Sequence, residues 1–394
     1  MKQSLEVADI FRTYGPVYRE VHGHEMPLRH FRVMRAIEIC RTAELGGHLD
    51  QCDQCGTVRI SYNSCRNRHC PKCQSLEKER WLEAREKEML PTSYFHIVFT
   101  LPEGLRPLAL RNQKVVYNLL FKSVSETLTE LARDSKHLGA EIGFMAILHT
   151  WSQTLIDHPH LHCLVTGGGL SPDGKRWVCS KKDFFIPVHV LSSLFRGKFL
   201  DGLKKEYGAG KLRFPGQIEE LKEASAFKRF LTNLYHQEWV VYCRPPWKNP
   251  EKVMDYLGRY THRVALSNDR LVKMEGNQVT FRWRDSADNN KIKLLTLEAF
   301  EFIRRFLLHV LPEQFVKIRY YGILSHRSRK GKLLRCKRLL GVVTSEEPEQ
   351  VPKETWQDLL TRITGIDPTI CPHCGKGKMI QREILLPQQN GRPP

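Results

Sequence analysis

The spacing of apolar residues changes period several times along this chain, and each change predicts an element. Leu28, Phe31, Met34, Ile37 and Cys40 recur every third position with Arg29, Arg32 and Arg35 off the stripe, so residues 1 to about 45 read as helical. Those arginines suit a phosphate backbone and equally suit an ordinary solvated face. Ser75 to Leu90 is dense in Glu, Lys and Arg around Leu76, Trp81 and Leu82, which predicts a charged helix ended by Pro91. Tyr94 to Thr100 is β-branched and aromatic and stops at Leu101-Pro102, as a buried strand does.

From Leu105 to Leu138 the period returns to that of a helix, through Val115, Leu119, Leu120, Val124, Leu128 and Leu131. Two strands follow, Gly143 to Thr150 and His160 to Thr166, the second running into Gly167-Gly168-Gly169. Turn chemistry at Pro172-Asp173-Gly174 leads to a further strand near Lys175 to Val178. Residues 180 to 235 read as basic and helical. Trp239 to Arg244 predicts a strand terminated by Pro245-Pro246, and Asn249-Pro250 caps the next helix. Val279 to Trp283 predicts a strand and Leu294 to Val310 an amphipathic helix. The fold class expected is α+β.

Composition narrows the partners. A chain of 394 residues, 41% hydrophobic, has room for two or three domains, and no apolar run is long enough to span a bilayer. Sixty-two Lys and Arg against 43 Asp and Glu give a formal charge of +19, which calls for a polyanion, nucleic acid before any membrane surface. From Lys317 to Ser345 there is no acidic residue, and Arg319, Arg327, Arg329 and Lys330 stand there with Tyr320 and Tyr321. Basic residues interleaved with aromatics suit a DNA backbone groove with stacking platforms, against a solvated basic loop. The start, Met1-Lys2-Gln3-Ser4-Leu5-Glu6, lacks a signal-peptide core, so an intracellular protein is expected.

Twelve cysteines in such a protein suggest metal rather than disulfides. Cys52-Asp53-Gln54-Cys55-Gly56 and Cys65-Arg66-Asn67-Arg68-His69-Cys70-Pro71-Lys72-Cys73 hold two Cys-x-x-Cys knuckles, enough for one tetrahedral zinc on Cys52, Cys55, Cys70 and Cys73; a redox dithiol is the weaker reading. Cys65 and His69, with His48, stand at the spacing of a second zinc site, the minor reading, and equally suit structural, unligated roles. Arg66 and Arg68 add a grip on DNA. Cys371-Pro372-His373-Cys374 is half a ribbon, which needs partners such as His326 or Cys336 or else carries no metal.

The densest chemistry is Asp157-His158-Pro159-His160-Leu161-His162. In a strand His160 and His162 share a face, and neutral imidazoles are common ligands for divalent ions. His158 is a third candidate, with Gln153 and His149 as alternatives. Downstream, Tyr256-Leu257-Gly258-Arg259-Tyr260 places two phenols at i and i+4, on one face of a helix.

Histidine, hydrophobe, histidine on a strand, then paired tyrosines on a helix, resembles the HUH endonucleases. More narrowly, the chain resembles the rolling-circle insertion-sequence transposases of the insertion-sequence ninety-one family, related to ISCR and Helitron transposases. The resemblance runs from about His48 to Gly341 and continues more weakly beyond. It implies a zinc-binding module (1–90), a catalytic domain with a ferredoxin-like HUH palm (91–310) and a basic C-terminal region with a cysteine tail (311–394). It further implies nicking and rejoining of single-stranded DNA at element ends, with Tyr256 or Tyr260 as nucleophile, Mn2+ or Mg2+ on the histidines, and Arg259 and Arg263 clamping phosphate. Residence in the bacterial cytoplasm at the nucleoid follows, with oligomeric assembly left open. A replication initiator or relaxase would share the chemistry, and a zinc-containing DNA-binding regulator would need none of it.

Overall fold

A computed structural model describes residues 5–181, 185–247, 253, 258, 265–285, 287–327, 329–342 and 354–388. Its strands, in chain order, are β1 Gly47–Cys52, β2 Val58–Tyr62, β3 Tyr94–Thr100, β4 Glu141–Trp151, β5 Asp157–Leu170, β6 Trp177–Cys179, β7 Val241–Trp247, β8 Leu271–Glu275, β9 Gln278–Asp285, β10 Lys291–Glu298, β11 Ile318–Gly322 and β12 Met379–Leu385. Every strand pairing is antiparallel. With the helices this makes the chain α+β, as its pattern predicts.

Two compact units divide it, one of Met1–Trp81, His262–Val310 and Glu347–Pro394, the other of Leu82–Thr261 and Leu311–Glu346. Both are discontinuous, whereas the sequence suggested three consecutive segments divided at 90 and 310. The reason lies in strand pairing: β12 returns to lie beside β1, and β11 beside β4.

In the first unit the helix Val7–His22 packs on Leu28–Glu38, where Arg19 pairs with the buried Glu38 at 2.6 Å. Met34, Ile37 and Cys40 of the apolar stripe are buried, but Leu28 is 62% exposed. Phe11 meets Phe306 of the helix Ala299–Leu308 edge to face at 5.3 Å. Two three-stranded sheets complete the unit, ordered β12-β1-β2 and β10-β9-β8. The helix expected over Leu294 to Val310 starts only at Ala299, because Lys291–Glu298 pairs with β9 as a strand whose apolar side chains Ile292 and Leu294 stay exposed.

In the second unit the sheet runs β11-β4-β5-β3-β7, with β6 beside β5. The helices Gln113–Arg133 and Val188–Gly208 cover one face. There Phe95, Ile97 and Phe99 of β3, Phe144 and Leu148 of β4, and Leu161 and Val165 of β5 join Val124, Leu128, Phe195 and Phe199 in one core. Strand side chains alternate, so the residues between them face the other way: His96, His149, His160 and His162. Pro245 and Pro246 do not end β7, which runs to Trp247. β7 lies at the edge of its sheet, where missing N–H donors cost little.

The strand β5 needs its glycines. A Cβ on Gly168 would stand 2.6 Å from Trp177 Nε1 and 2.6 Å from the Val178 carbonyl oxygen, so the β6 pairing admits no side chain there.

Candidate metal centres and the histidine face

Antiparallel register sets His149 of β4 directly opposite His160 of β5, while His162 opposes Ile147 on the same strand. Cross-strand partners on one face lie within side-chain contact, so three imidazoles converge. One ring nitrogen from each lies within 4.8 Å of the other two. His160 Nδ1 lies 2.6 Å from the His158 carbonyl, which only accepts, so Nδ1 carries the proton and Nε2 presents its lone pair. That Nε2 stands 3.1 Å from His162 Nε2. Two ligands roughly 2.1 Å from one ion, at a right angle, would be about 3 Å apart. Donor type and spacing therefore fit a divalent ion.

His96 of β3 extends the row. Its Nε2 is 2.9 Å from His162 Nδ1, and its ring stacks between His162 (5.2 Å) and Trp247 (5.7 Å). Burial holds its pKa down to about 3, with the Arg244 and His160 charges adding to the effect, so His96 stays neutral. The ring of His149 stacks on Trp151 at 4.9 Å.

The expected third ligand, His158, does not join. Strand alternation places it beside His160, with ring centres 5.1 Å apart, but its exposed imidazole stands outside the converging group of three and its carbonyl orients His160. Asp157 lies on the opposite face and is 1% exposed. Neither of its carboxylate oxygens has a hydrogen-bond partner among the described residues, and burial, opposed by Arg106, pushes its pKa up to about 7. Tyr256, Tyr260, Arg259 and Arg263 lie outside the described residues, although Val253 and Gly258 beside them are helical.

The cysteines regroup. Cys40, Cys65, Cys70 and Cys73 form one four-sulfur cluster, and Cys52, Cys55, Cys371 and Cys374 a second. The single site expected on Cys52, Cys55, Cys70 and Cys73 is thus divided between two centres. The reason is that Cys40, at the end of the Leu28–Glu38 helix, and Cys65 complete the Cys70 knuckle, while the C-terminal knuckle completes the Cys52 one. His69 belongs to neither cluster; its backbone N–H donates to Asn67 Oδ1 at 2.9 Å. His48 stands 3.5 Å from Asp50. Cys336, considered as a partner for Cys371 and Cys374, is buried with Leu90, Leu170 and Ile323, and His326 packs on Tyr320. In the first cluster Cys73 Sγ is 3.5 Å from both Cys40 and Cys65. Four sulfurs roughly 2.3 Å from zinc at tetrahedral corners would be about 3.8 Å apart, so the cluster is built to the size of a structural zinc site.

The basic residues are placed unevenly. Arg66 is exposed and lines a cleft of about 1250 Å³ in the first unit with Arg41, Arg59, Lys78, Tyr62 and Trp356. Arg68 is also exposed. Arg327 is exposed on the second unit. Arg319 is engaged within the fold, its guanidinium 4.0 Å from the Phe121 ring centre. Tyr321 stacks on Phe144 at 4.8 Å and Tyr320 accepts from Arg85 at 3.0 Å, so neither tyrosine is a free platform. Arg329 and Lys330 open the helix Arg329–Leu339; their side chains lie outside the described set. Among the described residues no helix is long and apolar enough to cross a membrane.

His149 stands in the sequence only as an alternative to His158, and His96 carries no signal there at all, because each joins the site through strand register. Cys40 was disguised as one more apolar position on a helical stripe.

Comparison with known proteins identifies the family. Residues 10–101 match the transposase zinc-binding domain, and residues 143–332 match the family described as putative transposase. A putative transposase of Sinorhizobium fredii, y4qJ, is 54% identical over 96% of this chain and 95% of its own length. The transposase for insertion sequence element IS801 of Pseudomonas savastanoi pv. phaseolicola is 26% identical over 85% of this chain and 79% of its own. No solved structure matches. The chain belongs to the IS91 family of insertion-sequence transposases.

Proposed function

We propose that this transposase nicks and rejoins single-stranded DNA by tyrosine transesterification at the histidine face of the second unit. The observation that carries the reading is the convergence of His149, His160 and His162 within 4.8 Å. These imidazoles would hold a divalent ion, which would supply positive charge to polarise a scissile phosphate. Imidazoles alone are poor magnesium ligands, so Mn2+, or a mixed site completed by oxygen, suits the donor set better than a fully histidine-bound Mg2+.

The chain's own groups do the rest. The phenol of Tyr256 or Tyr260, with an ordinary pKa near ~10, gives up its proton to a neighbouring base or to water and attacks phosphorus in line. An O–P bond forms to tyrosine as the bond to the 3′ oxygen breaks, and that oxygen takes up a proton from the base or from water, leaving a 5′-phosphotyrosine and a 3′-hydroxyl. No water is consumed, so the reverse attack by a 3′-hydroxyl rejoins a strand. Arg259 and Arg263 beside the phenols neutralise the phosphate, and Arg66, Arg68 and Arg327 hold flanking backbone. Such a protein works where bacterial DNA is, in the cytoplasm at the nucleoid.

His96 acts here as a positioning residue. With His162 Nε2 turned to the ion, His162 Nδ1–H donates to His96 Nε2, which fixes the tautomer and the ring plane. Replacing His96 by Phe keeps the stack and removes the acceptor. Mn2+ affinity, followed by electron paramagnetic resonance titration, should fall roughly 10–100-fold. Unchanged affinity would assign His96 to packing alone.

The reading is tested by incubating the protein with single-stranded DNA of an element end and Mn2+, then separating products on a denaturing gel. A covalent adduct lost in the Tyr256→Phe/Tyr260→Phe double variant supports it. A purely noncovalent shift with the wild-type protein would reject it.

A further inference from the structure

The second cysteine cluster draws together parts of the chain that neither family match joins. Cys52 and Cys55 lie inside the matched zinc-binding region, residues 10–101, whereas Cys371 and Cys374 lie beyond the last matched residue, 332. In the fold they are neighbours. Cys52 Sγ is 3.8 Å from Cys374 Sγ, and Cys55 Sγ is 3.7 Å from Cys371 Sγ. These separations are those of sulfurs at the corners of a zinc tetrahedron, about 3.8 Å, and far beyond a disulfide bond of about 2.05 Å.

The two knuckles are built alike. Each is Cys-x-x-Cys-Gly, and each glycine takes the left-handed turn, Gly56 at φ 71° and Gly375 at φ 68°. In each, that glycine's N–H donates to the first cysteine's carbonyl, Gly56 to Cys52 at 3.2 Å and Gly375 to Cys371 at 2.9 Å. Backbone N–H groups also point at sulfur, Cys55 N–H to Cys52 and Gly377 N–H to Cys374, at 3.5 and 3.3 Å. Donors aimed at sulfur favour the thiolate that zinc requires.

The knuckles also clasp each other. Asp53 N–H donates to the Lys378 carbonyl at 3.1 Å, and Lys378 N–H returns to Asp53 Oδ1 at 2.8 Å. From that point β12 leaves Met379 opposite Cys52 and pairs along β1 as far as Leu385 opposite Gly47.

We infer that Cys52, Cys55, Cys371 and Cys374 bind a second zinc ion, which fastens the C-terminal segment to the N-terminal hairpin as the third strand of its sheet. The metal is a clasp closing a loop of more than three hundred residues, which contains every segment of the second unit. Closing so long a loop costs only slightly more than closing a short one, because the entropy grows with the logarithm of length, and one thiolate-bound ion outweighs it. The zinc module of this chain is then composed from both ends of the sequence, and the C-terminal cysteines are structural parts of it.

The test is zinc stoichiometry of the full-length protein by native mass spectrometry, with X-ray absorption to read the ligands. Two zinc ions per chain in all-sulfur coordination are expected, and one in the Cys371→Ser/Cys374→Ser variant. Hydrogen exchange of that variant should show lost amide protection in β1 and β12, with protection kept in β3 to β5. The Cys40→Ser/Cys73→Ser variant, which breaks the other cluster, should retain the clasp ion. One zinc in the wild-type protein, or two in the Cys371→Ser/Cys374→Ser variant, overturns the inference. The wild-type count stands even if a variant fails to fold.

Discussion

The His162→Ala protein is expected to lose metal-dependent strand cleavage by roughly 10²–10³-fold, the rate equivalent of about 3–4 kcal/mol of charge stabilisation at the phosphate. His162 occupies the centre of the imidazole row, facing His160 at 3.1 Å through one nitrogen and His96 at 2.9 Å through the other. Its removal takes one of three ligands and leaves His96 without the ring it positions. The core beneath is built from the opposite face of β5, through Leu161 and Cys163, so zinc content and thermal stability should change little. His158→Ala supplies the contrast. Its exposed imidazole stands outside the converging group and its carbonyl survives the substitution, so cleavage should stay within a few-fold of wild type. Initial rates on a labelled single strand, measured across Mn2+ concentrations, separate the two outcomes. Equal loss in both variants would place the metal on His158 instead of His149.

The second large effect is expected at Cys70→Ser. Residues 63–73 run between β2 and the helix Gln74–Glu86 without regular secondary structure, so few backbone hydrogen bonds hold them. Cys65, Cys70 and Cys73 lie in this stretch and reach Cys40 at the end of a helix. Structural zinc contributes on the order of 10–16 kcal/mol to folding in small modules, and one thiolate in four carries roughly a quarter, or about 10²–10³-fold in zinc affinity. The variant should release this zinc to a chromogenic chelator that leaves the wild-type protein loaded, and amides 63–73 should lose exchange protection. Binding of DNA should fall with them, since Arg66 and Arg68 stand on the same stretch. Retention of zinc and of DNA affinity would show that the cluster is not what holds this segment.

How much of this was legible beforehand follows from the range over which each signal acts. Tyr94 to Thr100 is legible as a strand to the residue, because β-branched and aromatic density bounded by Leu101-Pro102 is a local property. The alternation placing His160 and His162 on one face is equally local. The register that brings His149 opposite His160, and His96 beside His162, is set by hydrogen bonding between strands distant in sequence, which no local period encodes. Cysteine spacing misled for the same reason. Two adjacent knuckles look sufficient for one zinc, and only the return of β12 to β1 shows that each has a different partner. Leu294 to Glu298 misleads in another way, since its apolar residues suit a helix stripe but are divided between the two faces of a strand, Leu294 exposed on one and Leu295 and Leu297 half-buried on the other. The third strand of the N-terminal sheet comes from the far end of the chain, and a linear reading has no means to anticipate that.

The central claim is that His149, His160 and His162 together hold the divalent ion of this transposase. Crystals soaked in Mn2+ and measured at an anomalous wavelength test it most directly. The account predicts one anomalous peak about 2.2 Å from Nε2 of His160, Nε2 of His162 and a ring nitrogen of His149. A protein that cleaves DNA in Mn2+ yet shows no peak at these three imidazoles would contradict it.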